Sequence, residues 1–181
     1  MNQLVQDRSE NKPGKMQFPG TATCLMWGVK ESFRTYFERL PDHVYSLAAG
    51  TTRNNEATFS FPVGAQPKLL PAGGWQMSFA GTLALTAHHG ALAVTLAAPE
   101  ILLDGIGQGT LSAVVDEENE QLVRMDIAQL QFAGISGSDE APQADFSATL
   151  ATDGQYLFMG NYFAGEPLDP VAIRFEGPAT P

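Results

Sequence analysis

The sequence predicts a mainly β protein, an antiparallel β-sandwich or partly open barrel with one N-terminal α-helix. Three observations predict it. From Ala57 onward, apolar and polar residues alternate with period two in a series of short runs. Clusters of Gly, Asp, Asn and Pro separate those runs. One stretch near the N-terminus instead repeats its apolar residues with the helical period. Many short strands joined by tight turns pair with their neighbours, which leads to antiparallel sandwiches and barrels. The 181 residues, 44% of them apolar, suffice for one domain with a sizeable core.

Residues 1–18 are polar, contain Pro13-Gly14, and read as a flexible tail. They hold no apolar leader segment, and no run of about 18 apolar residues occurs. The chain as written is therefore expected to be cytoplasmic; with a leader already removed, the same sequence would belong at the cell surface or outside the cell. Residues 19–176 form the expected domain and 177–181 a second loose tail. A helix is predicted over 28–40, where Val29, Phe33 and Phe37 form an i, i+4, i+8 stripe and Pro41 stops the pattern. Ala57, Phe59 and Phe61 then alternate with Thr58 and Ser60. From Trp75 through Leu85, odd positions are mostly apolar and predict one long strand. Further strands are expected at 91–97, 110–115, 122–132, 146–150, 155–159 and 171–175. Gly90, Asp104-Gly105, 116–119, 134–137, Asp153-Gly154 and 165–170 supply the turns.

Charge and motif content exclude several classes. A formal net charge of -10 argues against nucleic-acid binding and against anionic membrane surfaces. Cys24 is the sole cysteine, so no internal disulfide or thiolate metal cluster forms, and it reads as a small buried hydrophobe. Gly105 to Gly109 lacks the lysine and spacing of a phosphate loop and reads as a turn. Asp116, Glu117, Glu118 and Glu120 lack calcium-loop spacing and read as a solvated hairpin tip. Neither a zinc motif nor a nucleophile elbow is present. The aromatic run 156–162 suits a pocket wall or core packing equally. Of the three histidines, His88 and His89 end the long strand and would point to opposite faces. His88 would share the polar face with Thr82 and Thr86.

The most informative segment runs from Trp27 to Phe37. On a helix Ser32 and Tyr36 lie one above the other, about 60° or more from the apolar stripe. A hydroxyl and a phenol presented together at the border of the core suggest a site.

Three segments then resemble one family. Trp27-Gly28-Val29-Lys30-x-Ser32-Phe33-Arg34-x-Tyr36, His88-His89-Gly90-Ala91-Leu92 and Tyr162-Phe163-Ala164-Gly165-Glu166-Pro167-Leu168-Asp169-Pro170 resemble the HtaA-type haem-binding domains of actinobacterial haem-uptake proteins. The motifs occur in the family's order across about residues 20–175. The resemblance implies ferric haem b as the bound group, Tyr36 as axial ligand to its iron, and His88 as hydrogen-bond partner of that ligand. His89 is the alternative should the register differ by one. It further implies that Ser32 and Tyr162 contact the haem propionates. Asn161 and Ala93 depart from the family pattern, which often has an aromatic and an acidic residue there. The implied role is haem uptake, transfer or buffering, with a haem donor protein or another carrier as partner. Two other classes fit less well: a haem-degrading or peroxidase-like enzyme, and a β-sandwich binding module that has lost haem. The resemblance implies no catalytic residue.

Overall fold

The computed structural model describes residues 16–55, 57–116 and 122–177. In order, these form β1 (Thr21–Trp27), α1 (Glu31–Phe37), β2 (Val44–Ala48), β3 (Thr52–Asn54), β4 (Thr58–Leu69), β5 (Trp75–Phe79) and β6 (Thr82–Ala87). A 3-10 turn at His88–Gly90 leads to β7 (Leu92–Leu103), β8 (Gln108–Asp116), β9 (Leu122–Gly137) and β10 (Pro142–Leu150). A second 3-10 turn, Asp153–Phe158, precedes β11 (Val171–Glu176).

The strands pair antiparallel in the order β7-β5-β4-β1-β11-β10-β9-β8, and β8 returns to β7 through pairs such as Ile101 with Leu111. The result is a closed eight-stranded barrel, where the sequence had left a sandwich or a partly open barrel. Closure removes the free edges that an open sheet would expose. Two additions lie outside the ring: β6 and β2 extend the first half of β7, and β3 pairs with β4.

The predicted long strand is two strands laid end to end along one edge of β7. Trp75 to Ser78 pair with Leu103 to Glu100, and Thr82 to Ala87 pair with Ala97 to Leu92. The break falls at Gly81, whose φ of +102° suits glycine, and a Cβ there would strike the Thr51 hydroxyl. Opposite it, β7 bulges at Ala98 (φ 45°), and Pro99 is accommodated there without costing a ladder bond. The alternation nevertheless survives the break: Met77, Phe79, Leu83, Leu85 and Ala87 are all buried. Trp27, Phe59, Phe61, Phe146 and Phe175 are at most 1% exposed. An eight-stranded barrel of this kind is filled by side chains and leaves no channel.

Several local expectations need correction. Helix α1 is shorter than the predicted 28–40, because Val29 is left-handed (φ 68°), Lys30 is extended and Glu38 already caps the C-terminal end. Residues 155–158 are 3-10 turn with Met159 as its left-handed cap, and not strand, since Asp153-Gly154 starts a tight turn that buries Phe158. Strands β1, β2 and β3 precede the first strand that alternation picks out. The turn expected over Gly105–Gly109 is confined to Gly105–Gly107, since β8 already starts at Gln108; Asp104 Oδ1 accepts the N–H groups of Ile106 and Gln108 at 2.9 Å each. The acidic residues 117–120 and most of both predicted tails lie outside the described residues. At the edge of the first tail, the Phe18 ring centroid is 5.5 Å from that of Phe175 and 5.1 Å from that of Trp75. Trp75 Nε1 donates to the Met16 carbonyl at 3.1 Å. No helix among the described residues is long and apolar enough to cross a membrane.

Candidate functional site

The site is built on α1, which sits where β1 ends and β4 and β11 begin: Trp27 pairs with both Phe59 and Val171. A seven-residue helix is marginal by itself, so its position depends on outside contacts. Asp169, just before β11, supplies them. Its Oδ1 accepts the Glu31 N–H at 2.8 Å, the cap that Lys30 does not provide. Its Oδ2 pairs with the Arg34 guanidinium, which also donates to the Gly28 carbonyl. Its backbone N–H donates to the Val29 carbonyl at 3.0 Å, and its carbonyl accepts Trp27 Nε1–H at 3.1 Å. Arg34 is 8% exposed, so its charge is matched inside the fold. Gly28 is required by this crowding: a Cβ would overlap the Asp169 carboxylate, the Ala57 carbonyl and the Arg34 guanidinium.

Facing inward, Phe33 and Phe37 are buried; the Phe33 centroid lies 5.1 Å from Phe158 and the Phe37 centroid 4.9 Å from Tyr45. Ser32 and Tyr36 face outward, and Tyr36 is 48% exposed. The Ser32 and Tyr162 hydroxyls are 3.3 Å apart, with Tyr162 packed edge-on against Phe158 and under the Lys30 ammonium. Tyr36 Oη lies 3.0 Å from His88 Nε2. Glu31, Ser32, Thr35, Tyr36 and Arg39 line an open depression of about 370 Å3.

His88 reaches Tyr36 by a route the alternation did not foresee. Strand β6 ends at Ala87, and His88 and His89 are both left-handed (φ 51° and 55°). The turn, not the strand face, therefore aims the ring. Asp42 Oδ2 accepts the His89 N–H at 2.6 Å. That hydrogen bond holds the Asp42 carboxyl below its ordinary value, outweighing partial desolvation, with the His88 N–H and the His89 charge acting in the same direction. The His89 side chain is 96% exposed, with Nδ1 3.7 Å from Asp42. Of the neighbouring histidines, only His88 meets Tyr36. His43 is occupied elsewhere, its Nδ1 lying 2.6 Å from the Leu40 carbonyl.

Thus the four residues singled out from the sequence come together as two pairs, Tyr36 with His88 and Ser32 with Tyr162, joined by one turn of α1. Sequence reasoning did not identify the roles of Arg34, Asp169 and Asp42. The signal for Asp169 was its place in a turn beside Tyr162, but nothing in a single sequence pairs it with Arg34 across 135 residues. Chemically, the arrangement offers an accessible phenol oxygen whose proton and orientation are tied to an imidazole. Among the described residues, no three His, Cys, Asp or Glu side chains gather to hold a bare metal ion.

The HtaA (Htaa) family model matches residues 22–174. The C-terminal domain of HtaA from Corynebacterium glutamicum is similar in structure, with a TM-score of 0.70 and 25% identity over 87% of this chain and 98% of that one. The N-terminal domain of the same protein gives 0.69 at 17% identity, covering 90% and 100%. The heme binding protein HtaB from that organism gives 0.65 at 18% identity, covering 88% and 95%. No curated protein sequence matches significantly. Given the span of the family match and the barrel shared with these domains, the chain belongs to the HtaA family.

Proposed function

We propose that this protein binds ferric haem b through a Tyr36 phenolate and carries or buffers it, exchanging it with a donor protein or another carrier. The observation that carries the reading is the 3.0 Å contact between Tyr36 Oη and His88 Nε2 beside an open depression. A half-exposed phenol among hydroxyls and one carboxylate is a poor ligand set for a bare ion, since no three His, Cys, Asp or Glu side chains gather among the described residues. Haem would supply most of the donors to its own iron, so that Tyr36 alone would suffice as the protein ligand. Ferric iron favours the phenolate form, since a bound cation stabilises the anionic ligand. The imidazole, hydrogen-bonded to the ligand atom, fixes its orientation and tunes its donor strength. Ser32 and Tyr162 present paired hydroxyls one helical turn away, suited to a propionate carboxylate. Phenolate ligation weakens when iron is reduced or the phenol is protonated, a property useful for a carrier. Among the relatives, HtaB is a haem-binding protein by description; at 18% identity it speaks only to the fold.

Titration of the purified protein with hemin should give saturable one-to-one binding and a high-spin tyrosinate spectrum. Tyr36→Ala should abolish both. An unchanged spectrum and affinity in that variant would overturn the assignment.

A further inference from the structure

We propose that Asp42 is a positioning residue for His88, its carboxylate replacing the next rung of the β2–β6 ladder and holding the His88–Gly90 turn so that the imidazole meets Tyr36. The register makes the placement specific. Val44 pairs with Thr86 and Tyr45 with Leu85, so continuing the ladder by two residues sets Asp42 opposite His88. The backbone no longer pairs there, because β6 has turned into consecutive left-handed residues at His88, His89 and Gly90 (φ 51°, 55° and 91°). Left-handed conformations cost a non-glycine residue about 1 kcal/mol or more, so two histidines in succession need a stabilising contact. The Asp42 side chain provides it, accepting the His89 N–H at 2.6 Å.

Asp42 is itself fixed to the helix that carries Tyr36. The Leu40 carbonyl accepts the His43 N–H at 3.3 Å and lies 2.6 Å from His43 Nδ1, closing a tight turn around Asp42 directly after α1. A ring of contacts results: Tyr36 to His88, through the His88–His89 peptide to Asp42, and back along the chain to α1. The helix that presents the phenol thereby also sets where the imidazole stands. The functional weight of this inference rests on the haem reading, whereas the conformational half is independent of it.

The test uses the full chain with Asp42→Ala and Asp42→Asn, each alone and combined with His88→Ala. Asp42→Ala should weaken hemin binding about ten-fold, the lower end of what loss of an outer partner costs. It should also move the tyrosinate charge-transfer band toward its position in His88→Ala. Asp42→Asn keeps a carbonyl acceptor and should recover most of both. Added to His88→Ala, Asp42→Ala should change neither, because a residue that acts through another has nothing left to act on. Wild-type affinity and band in Asp42→Ala, or a full further loss on top of His88→Ala, would sink the proposal. A haem-free arm separates it from the haem reading. In labelled protein, Asp42→Ala should speed exchange of the His89 amide and shift the His88 ring nitrogens as far as Tyr36→Phe does. Unmoved ring nitrogens would refute positioning even with hemin binding intact. If Tyr36→Ala bound hemin normally, the haem reading would fall and this arm would still decide the role of Asp42.

Discussion

At the scale of single residues, neighbours in sequence divide sharply by environment. His88 and His89 share a turn, yet only His88 lies at hydrogen-bond distance from the phenol, while 96% of the His89 side chain is in solvent. His88→Ala should therefore weaken hemin binding by about 10- to 100-fold, and His89→Ala much less; isothermal titration of both variants checks the order. The Ser32 and Tyr162 hydroxyls stand side by side, 3.3 Å apart. Ser32→Ala and Tyr162→Phe should each cost about 1 kcal/mol of hemin affinity. A double-mutant cycle should find the pair non-additive, and strict additivity would show that they do not share a ligand group. Gly28 was legible only as part of a motif. Its physical requirement, three polar groups crowding one missing Cβ, comes from segments distant in the chain. Gly28→Ala should destabilise the fold by about 1–3 kcal/mol, read as a lowered urea midpoint.

At the scale of elements, the helix and its apolar stripe were legible because Phe33 and Phe37 repeat with the helical period. Its N-terminal end was not, because it is set by tertiary contacts: Asp169 takes the place of a local cap and bonds the carbonyl of left-handed Val29. Removing that anchor leaves a buried guanidinium without its partner. Asp169→Ala should cost about 3 kcal/mol of stability, the low end for a broken buried pair because the Asp169 side chain is 21% exposed. Hemin affinity should fall with it, and a variant of normal stability would show that Arg34 finds another partner. Strand β1 escaped notice for a different reason. A register shift between Ala22 and Cys24 breaks the alternation, so the buried residues Ala22, Leu25 and Trp27 keep no single period. Strand β2 has no buried residue at all, and β3 is three residues long. Alternation reports burial on one face, and these strands lack it.

For the whole molecule, an antiparallel all-β architecture was legible from alternation and turns, but closure was not. A closed barrel also pairs strands from opposite ends of the chain, β1 with β11 (Trp27 with Val171), a contact that local periodicity does not encode. The β7–β8 hairpin completes the ring and is reinforced inside by Leu111, fully buried opposite Ile101. Leu111→Ala should cost about 2–5 kcal/mol. If the barrel is a single cooperative unit, the urea transition should shift without splitting, and the curves from tryptophan fluorescence (Trp27 and Trp75) and far-ultraviolet circular dichroism should coincide. The anchoring of α1 also has a consequence for the order of events in biosynthesis. Asp169 lies 138 residues after Glu31, so a chain made from its N-terminus carries Tyr36 long before it owns the residue that fixes the helix beneath it. At ordinary translation speeds the delay is on the order of ten seconds. Throughout it the phenol belongs to a short helix with little stability of its own. This domain thus passes through most of its own synthesis with the helix unanchored, and fixes it only as its last strand pairs with its first.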